Sequence, residues 1–114
     1  MKKLLLIATA VMLFASCTVQ KSLYSYSNYA TTSYNYLKNS DEKSTQALLE
    51  SYQKILDKQA GTRNVPPPGA CADYGYLLLQ IGKTSEGKAL LIKETELYPE
   101  SKIFIDRILK MLEK

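Results

Sequence analysis

Cys17 and Cys71 are the two thiols of a chain that contains no histidine. A catalytic thiolate needs an activating base, and without imidazole its usual partner is missing. The same absence excludes a Ser-His-Asp triad and any histidine-based metal site. Eleven aspartate and glutamate side chains remain for acid/base work. Glu94 and Glu96, two apart on a helix, point to different faces and make no pair. Asp73, next to Tyr74, and Glu94, on an otherwise apolar stripe, are the acids expected to be partly buried, where a structural hydrogen bond is commoner than catalysis. No phosphate loop, zinc spacing or nucleophile elbow occurs, so no enzyme, cofactor or metal is expected. Nine tyrosines, without tryptophan, leave aromatic contact as the other chemistry on offer.

Cys17 has a second chemistry available. Lys2 and Lys3 precede an uninterrupted apolar run from Leu4 to Phe14, followed by Ala15, Ser16 and Cys17. A charged start, a short apolar stretch and small residues at a cleavage point make residues 1–16 a secretion signal. As a helix the run spans about 16 Å, roughly half the hydrocarbon core of a bilayer, which argues against a permanent span. Phe14-Ala15-Ser16-Cys17 looks like a bacterial lipobox, with phenylalanine where leucine is usual. Cleavage between Ser16 and Cys17 would leave the cysteine first, its thiol in thioether linkage to diacylglycerol. At about 0.8 kcal/mol per buried methylene, several acyl chains anchor a protein in practice permanently. The alternatives are a buried N-terminal helix, or an ordinary leader with Cys17 free or paired to Cys71, because two cysteines establish no disulfide framework. If Cys17 is acylated, Cys71, between Ala70 and Ala72, is expected to be a small core residue.

These residues need a body to position them. Residues 17–23 read as the lipidated N-terminus and a polar tether of at most about 20 Å, and residues 24–114 as a single α-helical domain. The formal charge of +4 falls to about +2 without Lys2 and Lys3, with both signs interspersed, so nucleic acid is not an expected partner. In the tyrosine-rich stretch from Tyr24 to Leu37, the residues Tyr26, Tyr29, Ala30, Ser33, Tyr36 and Leu37 share a helical face. They are either core or an aromatic contact surface, and a carbohydrate platform is the weaker variant. Tyr24 and Tyr34 fall off that face and are the better contact candidates, with Tyr26, Tyr29, Tyr36 and Tyr76 beside them. Asn39, Ser40 and Asp41 make a turn with cap residues. Leu48, Leu49, Tyr52, Ile55 and Leu56 then mark a long second helix running to about Ala60, ended by Gly61. Pro66, Pro67 and Pro68 stiffen a linker, or are themselves recognised.

From Pro68 the pattern is helix, turn, helix, stop. Pro68 suits a first helical turn, Gly69 loosens it, and Tyr74, Leu77, Leu78 and Ile81 repeat on one face. Gly82 fits a left-handed C-terminal cap, Thr84 an N-cap, and Leu90, Leu91, Leu97 and Tyr98 a second stripe that Pro99 stops. Gly75 and Gly87 sit mid-helix at a cost of about 1 kcal/mol each relative to alanine, which close helix packing explains. Ser101 is expected to cap a last helix whose stripe of Phe104, Ile105, Ile108, Leu109 and Leu112 completes the core.

This stretch resembles a tetratricopeptide unit of about 34 residues. With Pro68 as position one, Gly75 stands at the eighth, Gly82 at the turn, Gly87 at the twentieth and Pro99 at the thirty-second. Cys71 replaces the usual tryptophan and Glu94 the usual alanine. Tyr34-Asn35-Tyr36-Leu37-Lys38, Pro67-Pro68-Gly69, Asp73-Tyr74-Gly75-Tyr76, Tyr98-Pro99-Glu100-Ser101 and Phe104-Ile105-Asp106 together resemble the small bacterial lipoproteins catalogued as domain of unknown function 4810, with Ser25-Tyr26-Ser27 where tryptophan-glycine is usual. The resemblance covers nearly all of the chain after Cys17. It implies company with a lipoprotein similar to the curli secretion channel subunit and with another small lipoprotein, and hence an accessory role in an envelope complex.

The expectation is therefore an all-α, tetratricopeptide-like domain of about five helices, held through the Cys17 lipid and acting as a non-enzymatic adaptor for a partner lipoprotein. Thr18, where aspartate would favour inner-membrane retention, points to the outer membrane. The absence of an acidic run after Cys17 points to its periplasmic face. The rival reading is a pilotin-like chaperone that delivers a channel subunit, and an envelope enzyme or glycan-binding module is more remote.

Overall fold

A computed structural model of the chain describes residues 1–14 and 18–114. Among the described residues the regular elements are all helical: α1 (Lys2–Phe14), α2 (Tyr29–Asn39), α3 (Glu42–Asp57), α4 (Ala70–Gln80), α5 (Thr84–Leu97), a 3-10 turn (Pro99–Ser101) and α6 (Lys102–Leu112). The fold is all-α, with five α-helices in the domain after the apolar N-terminal one. Helix α1 is about 20 Å long, and its Leu4, Leu5 and Leu6 are exposed. No helix among the described residues is long and apolar enough to cross a membrane. Ser16 and Cys17, where cleavage and lipidation are expected, lie outside the described residues.

Helices α2 and α3 form the first hairpin. Its turn works as the cap residues suggest. Ser40 takes the left-handed conformation, with φ 49°, and closes α2 through its N–H to the Tyr36 carbonyl, while Asp41 opens α3 with a capping box shared with Ser44. Two boundaries differ from expectation. Helix α2 starts only at Tyr29, because Ser27 has a positive φ of 49° and the chain turns there, leaving Tyr26 outside the helix. Its buried position is Thr32 rather than Leu37, which is 77% exposed. Thr32 tolerates burial by donating its hydroxyl to the Asn28 and Tyr29 carbonyls, both at 3.2 Å. Helix α3 ends at Asp57, short of Ala60.

Gly61 does not cap α3. A Cβ there would collide with the Leu23 carbonyl oxygen and the Tyr24 Cα, so its missing side chain lets the N-terminal segment press against the loop. Thr62 and Arg63 donate their N–H groups to the Ser22 and Leu23 carbonyls at 3.0 and 3.1 Å. Gln59 and Ala60 bind Ser25 on the next turn of chain. The expected tether to Leu23 is therefore shorter, since its last two residues are bound to the body.

Helices α4 and α5 form the second hairpin. Gly82, with φ 86°, ends α4 in a Schellman arrangement: its N–H reaches the Leu79 carbonyl at 3.1 Å and that of Lys83 reaches Leu78 at 2.9 Å. Ile81 becomes the C-terminal cap and stays 42% exposed, off the face expected for it. Gly75 and Gly87 mark the crossing. A Cβ on Gly75 would sit 2.7 Å from the Gly87 carbonyl oxygen, and one on Gly87 would sit 2.6 Å from that of Gly75. Pro68 precedes α4 instead of entering its first turn, because Gly69 with φ 90° is the N-cap, and Thr84 is the first residue of α5 rather than its cap.

Leu48, Tyr52 and Ile55 of α3 meet Ala70 and Leu77 of α4 to join the hairpins, with Tyr29, Tyr36 and Tyr74 packed around them. Each such large apolar side chain contributes about 1.5–3 kcal/mol on burial. Cys71 is fully buried beside them in the chain order of α4, as expected of a core residue. After α5, Pro99 begins a 3-10 turn that runs directly into α6. Ser101 holds the N-cap position of α6 as expected but makes no side-chain capping bond; its hydroxyl donates instead to the Tyr98 carbonyl at 2.7 Å. Ile105 is the fully buried residue of α6, whereas Phe104 is 62% exposed, so the expected stripe enters the core only in part.

Candidate functional site

The tyrosine-rich helix α2 and the first turns of α4 stand on either side of α3, and the space between them is a groove. Two cavities of about 180 and 330 Å³ occupy it. The smaller is walled by Tyr26, Tyr29, Tyr52, Pro67 and Pro68; the larger by Tyr29, Tyr36, Leu37, Tyr52, Tyr76 and Gln80. Tyr29, Tyr52 and Asp73 line both, which makes the two one continuous feature. Two of its tyrosines, Tyr29 and Tyr52, begin an aromatic row that runs on to Tyr74 at the core. The Tyr29 and Tyr52 rings lie tilted with centroids 5.5 Å apart, and Tyr52 stacks on Tyr74 at 5.5 Å with an interplanar angle of 12°. Burial, then the neighbouring Tyr29 hydroxyl, pushes the Tyr52 phenol well above its ordinary range, so it stays neutral.

The expected contact tyrosines therefore separate. Tyr26, Tyr29, Tyr36 and Tyr76 come together in the groove. Tyr34 is 62% exposed but outside it. Tyr24 is half-buried in the segment against Gly61, next to Tyr98. Tyr98 in turn donates its hydroxyl to the Pro66 carbonyl at 2.7 Å, tying the end of α5 to the proline linker. Tyr52, expected in the core, and Pro67 and Pro68, expected as a spacer or as a recognised segment, also line the groove. The usable signal was the antiparallel hairpin itself, because the first helix of each stacked hairpin lines one common side.

Among the described residues Asp73 is the one charged residue on either wall. It is open to solvent, yet partial desolvation, followed by the charge of Glu94, pushes its carboxyl above the ordinary range. Glu94 itself is only 2% exposed. From α5 it reaches across the hairpin to the start of α4, where its two oxygens accept the N–H groups of Gly69 at 2.7 Å and Ala72 at 3.3 Å. A carboxylate on the unsatisfied N–H groups of a helix N-terminus is favourable both as a hydrogen-bond acceptor and in the helix field. Burial and the same Glu94 charge raise the Cys71 thiol to about 11, despite the opposing influence of Lys93. Among the described residues, no group of three His, Cys, Asp or Glu is placed to hold a metal ion.

Residues 23–108 match the family model described as Domain of unknown function (DUF4810). The chain belongs to this family. No curated protein and no solved structure matches the chain. The DUF4810 span opens at Leu23, the residue held by Arg63, and runs into α6, so it contains both hairpins and every groove residue. Helix α1 and Cys17 precede it.

Proposed function

We propose that this DUF4810 chain is a lipoprotein anchored through Cys17 in the outer membrane, facing the periplasm, and that it works there as a non-enzymatic adaptor. Its groove receives a segment of a partner lipoprotein in an envelope assembly or secretion complex, the class of partner that the family resemblance implies. The observation that carries this reading is the continuous tyrosine-lined groove between α2 and α4. Tyrosine offers large contact area at low entropic cost, and Tyr26 and Tyr76 leave 51% and 52% of their surface to a partner. Glu94, the most deeply buried acid, is committed to the backbone of α4, which supports an architectural role for it over acid/base work.

The test is extraction of the membranes with mild detergent and purification of the full chain, wild type and Tyr26→Ala/Tyr76→Ala side by side. A stoichiometric partner that stays with the wild type and dissociates from the double variant is the expected result. A partner held equally by both would overturn the groove as its site. Mass spectrometry of the N-terminal peptide is expected to find Cys17 acylated, and an unmodified Cys17 would end the anchoring part of the proposal.

A further inference from the structure

The groove has one feature that aromatic contact does not require. Asp73 sits where its two cavities meet, with tyrosines on both sides and, among the described residues, no lysine or arginine on either wall. Among the described residues the one close ion pair is Lys102 with Asp106, in α6. Asp73 stands in the first turn of α4, where a negative charge suits the helix field, but it is Glu94 that accepts the N–H groups of Gly69 and Ala72, and among the described residues the Asp73 carboxylate accepts no hydrogen bond. A second carboxylate near the first is repelled by it and partly desolvated, and both effects disfavour its charge. In the free chain water solvates this exposed carboxylate, and a partner cation that takes the water's place meets a complementary charge flanked by aromatic rings.

We infer that Asp73 and the groove tyrosines form a recognition site for an arginine side chain of the partner protein. The inference rests on the adaptor reading and gives its groove a specificity. The chemistry favours arginine over other occupants. A guanidinium is planar and weakly hydrated, so it stacks on a tyrosine face while its N–H fork donates to a carboxylate. Lysine brings a more strongly hydrated point charge that makes less use of ring walls. An acidic segment would be repelled by Asp73. The smaller cavity, at about 180 Å³, is below the range of drug-sized pockets and suits one long side chain.

The probes are N-acetyl-arginine amide, its neutral isostere N-acetyl-citrulline amide, and N-acetyl-lysine amide, titrated into the isotope-labelled full chain in mild detergent. Saturable NMR shifts at Asp73 and at the Tyr26 and Tyr29 rings are expected with arginine, with affinity about tenfold weaker for citrulline, the size of one charge-assisted pairing. The Asp73→Asn variant is expected to bind arginine no better than citrulline. Equal response to arginine and citrulline, an equal response to lysine, or no saturable shift in the groove overturns the inference.

Co-purification separates this failure from failure of the adaptor reading. A partner lost from Tyr26→Ala/Tyr76→Ala and from Asp73→Asn supports both. One lost from the tyrosine variant but kept by Asp73→Asn overturns the arginine site alone. One kept by all overturns the groove, and the arginine site with it, as the place of binding, whereas a wild-type chain that brings down no partner overturns the adaptor reading.

Discussion

Glu94 shows how much one substitution in a repeat pattern can carry. Where the resembling repeats have alanine, this chain places a carboxylate that closes the N-terminus of the neighbouring helix, and Gly69, with φ 90°, turns its N–H toward that carboxylate. Hydrogen bonds to a charged acceptor contribute about 1.5–3 kcal/mol each. Replacing Glu94 by alanine would leave two N–H groups near the core unsatisfied. We expect Glu94→Ala to lose about 3 kcal/mol or more in urea unfolding, and Glu94→Gln, which keeps one acceptor oxygen, to lose less; equal stability of alanine variant and wild type would refute the cap. Cys71 gives a second test at the same scale. Full burial and a thiol pKa of about 11 make it inert. At pH 8 only about one thiol in a thousand is ionised even before burial blocks access. Iodoacetamide should therefore label Cys71 at least about a hundredfold more slowly in the native than in the urea-unfolded chain, as read by mass spectrometry. Comparable rates would mean that α4 opens easily or packs differently.

At the level of elements, the α4/α5 contact and the docking of the N-terminal segment both depend on glycine for closeness rather than for backbone freedom. Gly75→Ala gains about 1 kcal/mol of helix propensity, but its Cβ would stand 2.7 Å from the Gly87 carbonyl oxygen. Overpacking of this kind costs about 1–3 kcal/mol, so a net loss is expected where an exposed helical glycine would show a gain. A rise in thermal midpoint on Gly75→Ala would contradict the close crossing. Gly61→Ala acts on another joint. Its Cβ would collide with Leu23 and Tyr24, which should release residues 22–25 from the 59–63 loop while leaving the hairpins folded. Limited proteolysis is the measurement, with faster cleavage around Lys21 expected in the variant and unchanged cleavage counting against the docked segment. The docking also matters for reach, because it shortens the free chain between the proposed anchor at Cys17 and the groove.

For the whole molecule, the groove is where stability and function part. The native pKa of Asp73 is raised, so its carboxyl contributes stability below its unfolded value of 3.8 and that contribution is lost as pH rises through the higher native value. Asp73→Asn should thus melt no lower than wild type at pH 7, with any advantage disappearing below about pH 4. A large destabilisation would show that Asp73 serves the fold rather than a partner. Much of this architecture could be read directly from residue order. The two hairpins, the glycine crossing, the Gly82 and Asp41 turns and the burial of Cys71 follow from local spacing and backbone conformation, which neighbours in sequence decide. The groove was legible only as a list of tyrosines. Which of them converge, that Tyr24 and Tyr34 stand apart, that Leu37 yields its buried place to Thr32, and that Glu94 closes a helix twenty-two to twenty-five residues away depend on how α2, α3 and α4 stack. Periodicity names the face of a helix that must be covered, but it says nothing of what covers it, because that is set by contacts between residues far apart in the chain.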